Sequence, residues 1–321
     1  SLHDALPISI DIALWDTFGK VCNQPVHQML GGLCRDKQRI YNTCAGTSYV
    51  RSQNIKPVSN WSVGAGNRPY EDLDGFMNRA DALAEDLLAH GISAMKIWPF
   101  DPAAIENQGL FISAAQMKKA VEPFEKIRKA VGDKMEIMVE FHSLWNLPVA
   151  KQIARALEPF NPTWFEDPIR MNSPQALAEY ARSTHVWTCA SETLGSRWAY
   201  KDYLDRDAAH VVMADLCWTG GLTEGRKIAA MAETYHRPFA PHDCIGPVGF
   251  AAAVHMSFSQ PNTLIQESVR AFYRGWYTEL VTTVPRIEGG YVYPMEGPGL
   301  GLELLPEVFE RSDLTVRRSS L

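Results

Sequence analysis

Residues 135–142 read MEIMVEFH and residues 163–168 read TWFEDP, two short apolar runs that end on carboxylates, Glu140 and Glu166. Short runs rich in Val, Ile, Met and aromatic side chains are read as buried strands. The pattern repeats outward from this pair: TCASE ends on Glu192, VVMAD on Asp215, PFAPH on His242 and TLIQE on Glu267. Stepping through 140, 166, 192, 215, 242 and 267, the intervals are 26, 26, 23, 27 and 25 residues. One strand, one loop and one helix fill such an interval. Each polar residue then falls at the C-terminal end of its strand, the end at which a parallel barrel keeps its active site.

Two further β-rich runs, 39–44 and 93–98, bring the strand count to eight, with strands also read at 135–141, 163–166, 187–192, 210–215, 237–242 and 263–267. Amphipathic stretches at 71–90, 113–131, 147–159, 173–183, 220–235 and 247–258 separate them. The fold class is therefore α/β, a (β/α)8 TIM barrel over residues 39–287. Before it, Ile10, Ile12, Ala13, Trp15 and Phe18 recur at helical spacing and Leu30-Gly31-Gly32 closes the unit, so 9–38 is a helix leading into the barrel. Residues 1–8, SLHDALPI, have neither the basic nor the long apolar region of a signal peptide and read as an assembly scar. Residues 46–70 have no period of either kind and read as a long loop acting as a lid.

Apolar residues make up 46% of the 321-residue chain and charged residues 21%, which excludes a disordered chain. The net charge of −6 comes with no Lys/Arg-rich run, so nucleic acid is not an expected partner. No apolar stretch reaches the length needed to cross a bilayer, so neither is a membrane. Six scattered cysteines with no CxxC pair are read as reduced thiols in a cytoplasmic enzyme.

Carboxylates at three neighbouring strand ends, Glu140, Glu166 and Glu192, would converge at the barrel mouth. Like charges so close cannot all stay ionised without a cation between them. An all-oxygen set favours a hard divalent ion, Mg²⁺ first and Mn²⁺ second. The alternative is that each carboxylate pairs with a nearby Arg or Lys. On the next two strand ends, Asp215 can hold one nitrogen of His242 and leave the other for substrate, which suits a general base, although a histidine after a strand can also be structural. His142 stands two residues beyond Glu140, where strand alternation would turn it to the same side. As metal ligand, catalytic acid or loop residue it stays open on these grounds. The other seven histidines are taken as structural or surface.

Taken in order, IDIALWDTFGK with LGG, MKIW, VEFH, WFEDP, ASET, MADLCWTGGLTEGRKIA, APHD and IQES resemble the mandelate racemase/muconate lactonizing enzyme branch of the enolase superfamily, from Ser9 to about Glu303. The resemblance implies that Glu140, Glu166 and Glu192 bind Mg²⁺. It implies further that Asp215 and His242 form an acid–base dyad and that Glu267, carrying a proton, hydrogen-bonds the substrate carboxylate. Racemase-like members carry Lys-x-Lys on the second strand, whereas this chain has Lys96-Ile97-Trp98, so the second base is absent. His142 falls where acid-sugar dehydratases of the galactonate type place the histidine that protonates the departing hydroxyl. The implied activity is Mg²⁺-dependent dehydration of an aldonate or aldarate through an enediolate, giving a 2-keto-3-deoxy acid. The alternatives are a racemase or epimerase using Lys96 and His242, and a non-catalytic truncated barrel.

Members of that branch carry an N-terminal α+β capping domain, most of which this chain is expected to lack. Residues 288–321 resemble the part of the cap that returns from the barrel, and their apolar side chains are expected to lie exposed or poorly packed. The expected partner is a small acid sugar, with a homo-oligomer left open.

Overall fold

Eight strands form the barrel wall: β1 (Gln38–Thr43), β2 (Ala94–Ile97), β3 (Glu136–Glu140), β4 (Trp164–Glu166), β5 (Trp187–Ala190), β6 (Val211–Asp215), β7 (Phe239–His242) and β8 (Gln266–Ser268). Each lies within three residues of a run expected from the sequence. This computed structural model describes residues 2–47, 70–312 and 314, with side chains from Ile10 onward. Strands β1 to β7 pair in chain order and in parallel, and β8 returns to pair with β1. Phe239 bridges Thr263 just ahead of β8, which closes the wall.

Alternation along the strands divides two cores. Tyr41, Ala94, Met138, Trp164, Cys189, Val211, Met213, Ala240 and Ile265 fill the barrel interior. Their outward neighbours, among them Ile97, Ile137, Val139, Phe165 and Val212, pack against the helices. Side chains two apart on a strand share a face. Lys96 therefore stands one step above Ala94, Glu140 above Met138, Glu166 above Trp164, Asp215 above Met213, His242 above Ala240 and Glu267 above Ile265. On β5 the residue in phase with Cys189 is Ser191, so Glu192 leaves the strand out of phase with the rest.

The first helix runs from Leu2 to Cys22, starting ahead of the point near Ser9 that its apolar spacing marks. It is fastened to the helix after β6: Asp11 Oδ2 accepts the Thr223 N–H at 3.0 Å and the Trp15 indole N–H donates to Thr223 Oγ1 at 2.8 Å. The contact requires glycine at 221, where φ is +78° and a Cβ would come within 2.2 Å of Asp11 Oδ2.

The chain after the barrel forms a hairpin, β9 (Ile287–Glu288) and β10 (Tyr291–Val292), and β10 adds antiparallel to the start of β1. Val292, Met295, Leu300 and Leu302 are buried. This corrects the expectation of an exposed or poorly packed tail: the segment contributes to the main core, and among its described residues Leu304, Phe309 and Leu314 are exposed. Except for its two ends, the loop read over 46–70 lies outside the described residues. No described helix is long and apolar enough to cross a membrane.

Candidate active site

Glu140 and Glu166 are direct partners in the β3–β4 ladder, and Asp215 and His242 are direct partners in the β6–β7 ladder. For these two pairs the sequence interval is a register between neighbouring strands, whereas Glu166 pairs with Cys189 and Glu192 lies beyond the end of β5. Lys96 reaches into this ring from β2, buried, with its Nζ 2.7 Å from Glu166, 3.0 Å from Glu267 and 3.6 Å from Glu140. Burial alone would lower its pKa, but Glu166 and Glu267 outweigh burial and hold the ammonium well above its ordinary value.

Glu140 does not present both oxygens to the ring. Oε1 accepts the backbone N–H groups of Phe141 and His142, while Oε2 is buried without a hydrogen-bond partner. Burial pushes this carboxyl up to about 8. Glu166, which accepts the Trp164 indole N–H at 3.0 Å, is raised by burial and by the charge of Glu140. Glu192 meets His242 directly, Oε2 to Nε2 at 2.6 Å. Burial would raise Glu192, yet the imidazole beside it holds it below the usual carboxylate range. The described residues whose donor atoms lie within 4.8 Å of one another are Glu166, Glu192 and His242. Two of the expected ligands, Glu166 and Glu192, belong to this group, and the dyad histidine stands in it in place of Glu140.

Asp215 holds His242 as the sequence suggests, with Oδ2 2.7 Å from Nδ1, and it also accepts the Cys217 N–H. Burial disfavours the imidazolium, but Glu267 and Glu192 override it and raise the ring's pKa well above the ordinary value. Glu267 is tied to three neighbours. It accepts from the Thr43 hydroxyl, the Lys96 ammonium and the Asp243 N–H, the last at 3.0 Å. Burial would raise its pKa, but Lys96 and His242 outweigh burial and lower it.

His142 reaches the mouth by a route that alternation does not describe. β3 ends at Glu140, and His142 takes a left-handed backbone with φ of +48°. Its ring is held by Asp101, a residue the sequence analysis passed over, at 2.6 Å from Nδ1. Asp101 is fully buried at the start of the helix Asp101–Glu106, which follows β2. Its signal was an Asp close behind a strand end and beside a proline, as usual at the first turn of a helix. Asp167 was also missed, although it stands in the quoted WFEDP: it is buried, accepts from Ser191 Oγ at 2.6 Å, and keeps Oδ1 without a partner. Burial and the charge of Glu192 raise it well above the usual range.

The site therefore concentrates buried carboxylates around one ammonium, with orphan oxygens on Asp101, Glu140, Asp167 and Asp243, and places an Asp-held histidine at two points of the rim. Such a set is short of positive charge and offers hard oxygen donors, which fits a divalent cation.

Residues 79–308 match the family model described as enolase C-terminal domain-like. A D-galactonate dehydratase from Ralstonia nicotianae is 34% identical over 303 residues, which span 92% of this chain and 70% of that protein. The protein of the same name from Ralstonia pickettii is 33% identical over the same shares. Among solved structures, an enolase of the mandelate racemase subgroup from Agrobacterium tumefaciens, containing a succinimide residue, sodium and phosphate, superposes with a TM-score of 0.81 at 50% identity, over 94% of this chain and 72% of that one. An enolase protein from Sargasso Sea environmental sequencing gives 0.86 at 39% identity, over 100% and 78%.

Proposed function

Because the chain belongs to the enolase superfamily and is similar to solved structures of its mandelate racemase subgroup, we propose that it is a hydro-lyase that dehydrates an acid sugar to a 2-keto-3-deoxy acid. The observation that carries this reading is the pair of Asp–His couples, His242 with Asp215 and His142 with Asp101, on separate strand ends beside the carboxylate ring. Loss of water needs a base at one carbon and an acid at the next, because hydroxide is a poor leaving group.

In the proposed reaction His242 removes the proton next to the substrate carboxylate, with Asp215 keeping Nδ1 occupied so that Nε2 is the reacting nitrogen. His142 then gives a proton to the departing hydroxyl, and the enol product rearranges to the keto acid. Glu140, Glu166 and Glu192 would hold the divalent cation, Mg²⁺ first and Mn²⁺ second, and when bound it supplies charge neutralisation to the enediolate. Lys96 places a second positive charge in the same ring. An ammonium held so firmly by carboxylates serves as a fixed cation and not as a base, which weighs against two-base racemisation through Lys96 and His242. Glu267 fixes Lys96 and the turn at Asp243.

The reading is tested by incubating the protein and Mg²⁺ with a panel of aldonates and aldarates and assaying 2-keto acid. Conversion of at least one acid sugar is expected. Exchange of the α-hydrogen with deuterated solvent without loss of water from any of them would instead make the protein an epimerase.

A further inference from the structure

We propose that Trp98 and Asp101 are a positioning pair for His142, built into a single turn that leaves β2. Its catalytic consequence rests on the reading of His142 as the acid that protonates the departing hydroxyl, whereas the positioning itself is independent of that reading.

The turn is WPFD, residues 98–101. Pro99 occupies its second position, Phe100 has φ −85° and ψ −18°, and the Asp101 N–H reaches back to the Trp98 carbonyl at 3.4 Å. These are the features of a type I turn, in which proline pre-sets the second residue. Residues at the first and fourth positions are thereby brought side by side, and both touch one ring. Asp101 Oδ2 lies 2.6 Å from His142 Nδ1, and the Trp98 indole meets the imidazole nearly perpendicular, at 81° and 5.7 Å between centroids. Between them Phe100 packs on Phe141, the residue before His142, at 5.9 Å. Three consecutive contacts therefore lock the turn after β2 to the turn after β3.

The lock offsets a local cost. His142 and Ser143 both have positive φ, a conformation that is unfavourable for a residue with a Cβ and persists only where surroundings hold it. Trp98 and Asp101 are both buried, so neither can drift from the ring. With Nδ1–H donating to the carboxylate, the neutral ring carries its proton on Nδ1 and its lone pair on Nε2. The same position that lacks a second lysine is thus the one that carries the indole wall behind the second histidine.

The test uses the full chain with ¹⁵N-labelled histidine and the variants Asp101→Ala, Trp98→Phe and His142→Asn, the last to assign the ring signals. At alkaline pH, without substrate, the wild-type His142 ring should be protonated on Nδ1, and Asp101→Ala should shift it to Nε2. Trp98→Phe, which keeps an aromatic edge and leaves Asp101 intact, should retain the Nδ1–H form. With Mg²⁺ and an accepted acid sugar, Asp101→Ala should lower kcat for dehydration ~100-fold with KM little changed, while α-hydrogen exchange at His242 continues at close to the wild-type rate. An unchanged tautomer in Asp101→Ala, or exchange falling in parallel with dehydration, overturns the proposal. If the wild type dehydrates none of the acid sugars, the functional reading fails, and the nitrogen signals alone decide the positioning.

Discussion

His27 and His255, 228 residues apart, bring their Nδ1 atoms to 3.1 Å with stacked rings, and His255 Nδ1 also accepts the His27 backbone N–H at 3.0 Å. His255 Nε2 faces the Leu300 carbonyl at 3.2 Å. With both donors on Nδ1, His255 is neutral and protonated on Nε2. Burial lowers its pKa to about 3, so below its ordinary 6.5 the unfolded chain takes up a proton that the folded one refuses. Its contribution is intact above pH 6.5 and is lost as pH falls towards 3, by about 1.4 kcal/mol per unit in that window. Urea denaturation between pH 7 and 4 should therefore be shallower in His255→Asn than in the wild type. Parallel pH profiles would remove His255 as the source of the acid loss.

The crowding of Glu140 against Glu166 gives a second expectation. A cation that binds only the folded site adds about 2.7 kcal/mol of stability at a hundred times its Kd. Mg²⁺ should raise Tm, chelation should abolish turnover, and Glu166→Gln should weaken Mg²⁺ binding at least ~10-fold in calorimetric titration. Equal Mg²⁺ affinity in wild type and Glu166→Gln would place the ion elsewhere.

The two histidines should separate by step. His242→Asn is expected to stop both α-hydrogen exchange and loss of water, by ~10²–10⁴-fold, whereas His142→Asn should stop only loss of water. Deuterium incorporation followed by mass spectrometry distinguishes the two. A His142→Asn protein that dehydrates at the wild-type rate would take that residue out of the reaction.

Arg270 provides a stability prediction away from the ring. Its guanidinium is buried and bonds Asp72 through two nitrogens, each at 2.7 Å, while Asp86 takes a third contact at 2.5 Å. Removing one partner of a buried pair costs about 3–5 kcal/mol because the remaining charge loses its compensation. Asp72→Ala should lie near the lower figure, since Asp86 stays, and the midpoint of denaturant unfolding reads it directly. A shift equivalent to less than about 1 kcal/mol would mean that Asp86 alone satisfies Arg270.

The barrel and most of its rim were legible because a parallel β/α unit ties sequence interval to strand register. Apolar interior residues such as Met138 and Trp164 announce the inward phase, and Glu140 and Glu166 follow it by two. Legibility ended where the chain left the pleat. His142 sits on a left-handed residue, so the period that placed Glu140 says nothing of its direction. Asp101 acts through a turn, and Glu192 lies out of phase on β5, where Ser191 takes the inward position. The partners of Glu267 were beyond sequence because Thr43 and Lys96 are both distant in the chain. The tail was misread because its apolar residues find their partners in the first helix and β1, contacts that no local pattern displays.

That tail changes what β1 is. Within six residues, Gln38 and Arg39 pair antiparallel with Val292 and Tyr291, Tyr41 and Asn42 pair with Glu267 and Ser268, and Thr43 pairs with Lys96. The strand that meets the last strand at the closing seam is thus anchored at its foot by residues made after the barrel is complete, and its head touches the reacting ring. During synthesis the seam can be clamped only once residue 292 has been made, well after β8 has ended at Ser268, so commitment of the barrel to its closed form waits on the hairpin that follows it.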